Sequence, residues 1–295
     1  PRLEVDVPPE GGYLRARTEP VRMILITHRD FREQAEALAE YRRTHFPGGP
    51  GQSDPASVPV AVVDVQDIYD EFSFGRVDPT ALRNFLQCAR ERYDGGDPDA
   101  GPVYVLLLGD PHYDFRNTLG RGAQVFVPTY EGYFDTGLVN SLYSPQFGSD
   151  DFYAYLDGPT DVGLDLYIGR FPVRTGFEAR TVVEKVRRYE SDAANGPWKG
   201  RITLVADDIC QGTNPDNLTF LHMTQTEVLP PMLPEVLQID KVYLYEFGTE
   251  CAYSTKPRAA EALRARMNEG TLLVNFTGHG SDQQLADERV FETSG

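Results

Sequence analysis

What most constrains the fold is a recurring pattern: short runs that are apolar at nearly every position, set apart by amphipathic stretches. A strand with one wet face alternates apolar and polar residues. A run with hardly any polar position must be covered on both faces, as in a largely parallel sheet between layers of helix. Such runs occupy residues 21–27, 58–65, 103–108, 164–169, 201–206, 241–246 and 271–277, and each is expected to be a strand. The chain therefore reads as an α/β protein.

The helices between these strands are marked at their ends. Asp78 followed by Pro79 reads as an N-cap with proline at the first helical position. Leu82, Phe85, Leu86, Ala89 and Tyr93 then share one face, and Gly95-Gly96 stops the helix. Thr175 and Glu178 have the spacing of a capping box ahead of Val182, Val183, Val186 and Tyr189. Pro257 opens a helix in which Ala260, Leu263 and Met267 recur, closed by Gly270. Two stretches break the rhythm. Residues 110–160 are rich in Tyr, Gly, Asp and Pro without periodicity, a length of loop that is usually functional or ordered by partners. Residues 191–200, with Gly196-Pro197-Trp198, read as a seam. The expected organisation is a lead-in over 1–20, a first α/β subdomain over 21–195 and a second, catalytic one over 196–295.

Charge and length narrow the function. The 295 residues carry 45 acidic against 28 basic side chains, a net charge of −17, which repels phosphate backbones and argues against a nucleic-acid partner. No apolar stretch is long enough to span a bilayer. Cys88, Cys210 and Cys251 are too widely spaced for a disulfide framework or a C-x-x-C metal site. The chain opens at Pro1 without a basic-then-apolar leader, and both ends read as interior to a longer protein.

The strongest chemical signal is Val274-Asn275-Phe276-Thr277-Gly278-His279-Gly280-Ser281, an apolar strand that runs into a histidine between glycines. Loops beyond the carboxyl ends of parallel strands are where α/β proteins build sites. An imidazole there can take a proton from a thiol or hydroxyl and return it to a leaving amine. The residues alone leave a structural turn and a metal ligand open beside that role. A second strand ends in Val205-Ala206-Asp207-Asp208, where a carboxylate is placed either to orient His279 or to cap the following turn. Other candidates have plainer readings. His112, in Asp110-Pro111-His112-Tyr113-Asp114, suits a hydrogen-bonded turn, and His28, His45 and His222 suit surfaces or helix ends. Cys88 reads as packing, and Cys210 as a small buried group. Asp150-Asp151, with Asp157 and Asp161 nearby, offers oxygen ligands to a hard cation or a solvated turn. Arg170 and Arg174 read as structural ion pairs in preference to a substrate clamp.

The histidine segment, continued by Ala286-Asp287-Glu288-Arg289, resembles that of gingipain-type cysteine peptidases. So do Asp64-Val65-Gln66-Asp67-Ile68-Tyr69-Asp70-Glu71-Phe72, Leu106-Leu107-Leu108-Gly109-Asp110, Ser149-Asp150-Asp151-Phe152-Tyr153 and Ile168-Gly169-Arg170-Phe171-Pro172-Val173-Arg174-Thr175. The likeness runs from about Val21 to Phe291 and is greatest to the PorU-like, sortase-type branch of type IX secretion. It implies a caspase-like sandwich of largely parallel sheets and peptide-bond cleavage through a thiolate. His279 would be the base, and the Gly280 N–H half of an oxyanion hole. Asp208 matches the family's histidine-orienting carboxylate, with Asp207 the competing choice. The family's nucleophilic cysteine lies a few tens of residues past the histidine, beyond Gly295, so residues 1–295 alone are expected to be inactive. The resemblance implies protein or peptide substrates, secretion-system components as further partners, and a secreted or cell-surface location. It requires no cofactor and admits a structural calcium. The rival functions are a metal-dependent hydrolase using His279, His112 and the Asp150-Asp151 loop, and a catalytically inactive binding module.

Overall fold

The computed structural model describes residues 13–46, 57–120, 122, 124–133, 146–158, 163–191, 195–208, 221–248, 255–281 and 283–293. The chain divides into two compact units between Glu190 and Ser191.

In the first unit, β1 (Met23–Thr27), β2 (Val60–Asp64), β3 (Tyr104–Leu108) and β6 (Tyr167–Phe171) form a parallel sheet in the order β2-β1-β3-β6. Two further strands, β4 (Tyr130–Tyr133) and β5 (Gln146–Ser149), form a separate antiparallel pair. Successive residues of the parallel sheet feed two different cores, as the pleat requires. Ile24, Ile26, Ala61, Val63, Val105 and Leu107 pack on one side, while Met23, Leu25, Val60, Leu106 and Leu108 pack on the other. That is why these runs tolerate so little polarity.

Helices α2 (Val65–Ser73) and α3 (Pro79–Arg92) cover the first face through Ile68, Tyr69, Leu82, Phe85 and Leu86. The second face is covered by α1 (Arg32–Thr44) and α4 (Gly176–Glu190), through Ala35, Leu38, Ala179 and Val183. Burying each large side chain contributes roughly 1.5–3 kcal/mol. The expected caps form. The Asp78 carboxylate accepts from Thr80 N with Pro79 opening α3. The Thr175–Glu178 box closes reciprocally, Thr175 N donating to Glu178 Oε2 and Glu178 N to Thr175 Oγ1, each at 3.2 Å.

The irregular stretch after β3 is organised by Arg170, on β6. Its guanidinium donates from Nε to Asp150 Oδ2 and from Nη2 to Asp150 Oδ1, at 2.7 and 2.8 Å. The remaining bonds reach the carbonyls of Gly109, Val127 and Pro128 at 2.7–2.8 Å. Arg174 pairs with Asp110 at 2.5 Å. Both arginines are thus in structural ion pairs. Asp150, open from sequence to a cation or a solvated turn, holds a guanidinium with both oxygens; Asp161 lies outside the described residues.

The second unit repeats the plan on a smaller scale. Strands β7 (Arg201–Ala206), β8 (Gln238–Tyr243) and β9 (Leu273–Thr277) form a parallel sheet in the order β8-β7-β9. The short α5 (Leu221–Thr226) contributes Met223 to the core that holds Ile202, Leu204 and Ala206. On the opposite face α6 (Pro257–Glu269) packs Ala259 and Leu263 with Val205 and Val242. A hairpin of β10 (Gln284–Leu285) and β11 (Phe291–Glu292) follows β9.

Two strands sit apart from their expected positions. The first starts at Tyr167 instead of Leu164, because Leu164 stays half-exposed and pairing with β3 begins at Tyr104↔Tyr167. The other, β8, starts at Gln238 instead of Lys241, because β7 sets its register from Arg201↔Gln238, and Leu244–Phe247 tighten into a 3-10 turn. Among the described residues no helix is long and apolar enough to cross a membrane.

Candidate active site

The site lies where β7 and β9 end side by side. Their parallel register pairs Ala206 with Thr277, and Asp207 N extends the ladder by donating to Thr277 O at 2.9 Å. This brings Asp207 against Gly278 and His279. The His279 backbone N–H donates to Asp207 Oδ2 at 2.9 Å, and Asp208 N donates to Asp207 Oδ1 at 2.9 Å. The carboxylate is therefore fixed by two backbone donors. Its Oδ2 also lies 3.6 Å from His279 Nδ1, just beyond hydrogen-bond length and within reach of a small turn of the ring. The imidazole is 71% exposed while the Asp207 side chain is 3% exposed. A buried anion thus faces an accessible base. Burial pushes the Asp207 carboxyl up from its ordinary value, and the two backbone N–H bonds oppose that rise.

Gly278 is required by this approach. A Cβ there would collide with Asp207 Cβ and lie 2.8 Å from Phe276 Cζ. Beyond the histidine the chain turns back on itself. Ala286 N donates to His279 O and Ser281 N to Gln284 O, each at 2.9 Å, around a bridge between Gly280 and Leu285. These bonds flank Gly280 and leave its N–H out of the pairing.

Asp208, matched by resemblance to the histidine-orienting carboxylate, points elsewhere. The Asp208 carboxylate lies near that of Asp207 but is held in a buried ion pair with Lys256. Lys256 Nζ lies 2.7 and 2.5 Å from the two Asp208 oxygens and 3.0 Å from Leu244 O, with both side chains 3% exposed. The carboxylate beside His279 is Asp207. Asp207 is the competing choice from sequence, and what holds Asp208 is Lys256, a partner no local spacing reveals.

Glu288 completes a buried acidic group with Asp207 and Asp208, and among the described residues neither of its carboxyl oxygens has a hydrogen-bond partner. Burial pushes its carboxyl up, and the charges of Asp207 and Asp208 add to that, against Lys256. His222, at the start of α5, stands edge-on to His279 with ring centroids 5.1 Å apart. The sequence, which suits His222 to a surface or a helix end, gives no sign of this contact.

His112 belongs to the first unit, where its Nδ1 accepts from Asp114 N at 3.0 Å and its ring stacks on Tyr113. His28 caps the turn Arg29–Phe31, and His45 follows the end of α1. Cys88 is half-buried on α3, where burial raises its thiol pKa; Cys210 and Cys251 lie outside the described residues.

A model of peptidase family C25 matches residues 16–295. The chain belongs to peptidase family C25. This is the gingipain family, and it makes the chain a cysteine-peptidase-type domain. Among solved structures, the complex of pro- and mature domains of RgpB from Porphyromonas gingivalis is similar at 20% identity and a TM-score of 0.58, over 91% of this chain and 50% of that one. A second solved structure, of a protease, is 17% identical with a TM-score of 0.50, over 94% of this chain and 48% of that one. Dimeric latent PorU from the same organism is 29% identical over 63% of this chain and 17% of its own, with a TM-score of 0.48. The C25 chain thus spans at most about half the length of these relatives. No curated protein sequence matches it. The likeness to RgpB shows the fold expected from sequence, a caspase-like α/β sandwich of parallel sheets flanked by helices.

Proposed function

We propose that the chain carries the histidine half of a cysteine-endopeptidase centre. The observation that supports this most is the placement of a buried, doubly anchored Asp207 against the exposed ring of His279. In this reading Asp207 steadies the imidazolium as it forms, a role transferred from Asp208. His279 takes the proton of a cysteine thiol supplied by a segment outside residues 1–295, and the thiolate attacks the scissile carbonyl. The Gly280 N–H meets the developing oxyanion. His279 then returns its proton to the leaving amine. The chemistry requires no cofactor. Protein or peptide substrates follow from family membership. The sequence resemblance to the PorU-like branch supports an extracytoplasmic, sortase-type setting with secretion-system components as partners.

The test is peptide hydrolysis by the longer protein that includes the thiol. His279→Ala and Asp207→Asn should each lower kcat by ~10²–10⁴ with the fold intact, while Asp208→Asn acts chiefly on stability. Residues 1–295 alone should neither hydrolyse peptides nor react with a peptidyl thiol-directed probe at Cys210. Full activity in the His279→Ala protein, or turnover by residues 1–295 that Cys210→Ala abolishes, refutes the assignment.

A further inference from the structure

His222 has no use in the chemistry above, yet its ring is placed as if for a ligand. Both nitrogens, Nδ1 and Nε2, are shielded from solvent and lack a hydrogen-bond partner among the described residues. A neutral imidazole always carries one N–H donor and one acceptor lone pair, so leaving both unpaired is costly. Asp207, His222 and His279 each offer a ligand atom, and the three atoms lie within 4.8 Å of one another. The His279 Nδ1 to Asp207 Oδ2 separation of 3.6 Å is close to what two ligands of one tetrahedral ion require, given bonds of ~2.0–2.2 Å. The Asp207 carboxylate is already held by two backbone donors, so one edge of the site is rigid before any ion arrives.

We propose that Asp207, His222 and His279 form a binding site for a borderline divalent transition ion, zinc foremost, and that the ion switches the peptidase off. The donor set decides the class of ion. Two imidazoles and one carboxylate suit zinc, whereas calcium and magnesium take oxygen ligands. Three protein ligands leave a fourth position for water. The inhibitory part rests on the peptidase reading above, and the binding part does not.

The inhibition follows from counting protons. Nδ1 is the nitrogen of His279 that faces Asp207. A metal on Nδ1 uses that lone pair, and the single proton of the neutral ring then sits on Nε2. Nε2 has no lone pair left to accept the thiol proton. The ring has changed tautomer, no proton is lost, and the base is gone. The ion also draws Asp207 away from supporting an imidazolium. Removing the ion reverses both effects.

Zinc binding is measured first on the 295-residue chain, by competition with a chromophoric chelator. One equivalent should bind. His222→Phe, which keeps a ring in place, and His279→Ala should each weaken binding at least tenfold, and His112→Ala should leave it unchanged. Cobalt(II) in place of zinc should show a tetrahedral d–d band without a thiolate charge-transfer band, which separates this site from the cysteines. Less than half an equivalent bound, a thiolate band, or unchanged affinity in the His222→Phe chain overturns the site. Inhibition is then measured on the longer peptidase, where zinc should inhibit, chelator should restore activity, and His222→Phe should shift the inhibition curve at least tenfold upward. Binding without inhibition of an active peptidase overturns the switch and leaves the site. Loss of the peptidase reading itself leaves the binding result standing.

Discussion

Lys256→Met isolates what holds Asp208 in the interior. The native ammonium is bonded to both Asp208 oxygens and to Leu244 O, with the pair almost wholly removed from solvent. Methionine keeps the length of the side chain and removes the charge. Asp208 is then left beside Asp207 and Glu288, with no cation to offset three clustered carboxyls. Breaking a buried pair from one side costs ~3–5 kcal/mol, far more than the net worth of the pair, because the penalty is the stranded charge. With an m-value of ~2 kcal/mol/M in urea, the unfolding midpoint should fall by about 2 M. The control is the double variant Lys256→Met with Asp208→Asn, where the stranded charge is gone and most of the loss should be recovered. Equilibrium urea unfolding followed by circular dichroism reads both. A single variant costing under ~1 kcal/mol, or a double variant no more stable than the single, would refute the buried-charge account.

Two further outcomes follow from neighbouring residues. Gly278→Ala drives a methyl group into Asp207, so it should cost ~1–3 kcal/mol by overpacking and displace the carboxylate from His279; thermal unfolding and kcat of the longer peptidase should both fall, and a variant with wild-type values shows that the loop can move aside. Glu288→Gln tests the raised carboxyl. An acid whose folded pKa lies above its unfolded value loses stabilisation as pH rises from the unfolded value through the folded one. Glutamine should therefore stabilise the protein at pH 7–8, with the gain vanishing below pH ~4, where the glutamate is protonated in both states; an equal effect at all pH values contradicts this.

The sheets were legible because their cause is local. The runs that became β1, β2, β3 and β7 are apolar enough to be covered on both faces. Asp78-Pro79 and the Thr175–Glu178 box state their own geometry within four residues. The position of His279 past an apolar strand was equally readable. What decides between Asp207 and Asp208 is Lys256, 48 positions along from Asp208. His222 meets His279 across a similar gap, and neither contact leaves a spacing rule in the sequence. The starts of β6 and β8 were missed for a related reason. Register is set by the strand alongside, and the apolar residues flanking a short strand also take part in the core: Leu166 is buried just before β6, and Leu244 just after β8.

Arg170 carries a consequence for the least regular part of the first unit. All five of its N–H groups are engaged, across carbonyls from three positions and one carboxylate. Lysine has three donors and no fork, so even the mildest exchange leaves acceptors facing nothing. The segments that meet there behave as a knot: pulling out one strand slackens the rest together. Sequence drift in this region should therefore be free between the tied points and nearly forbidden at them, however loop-like the whole stretch reads.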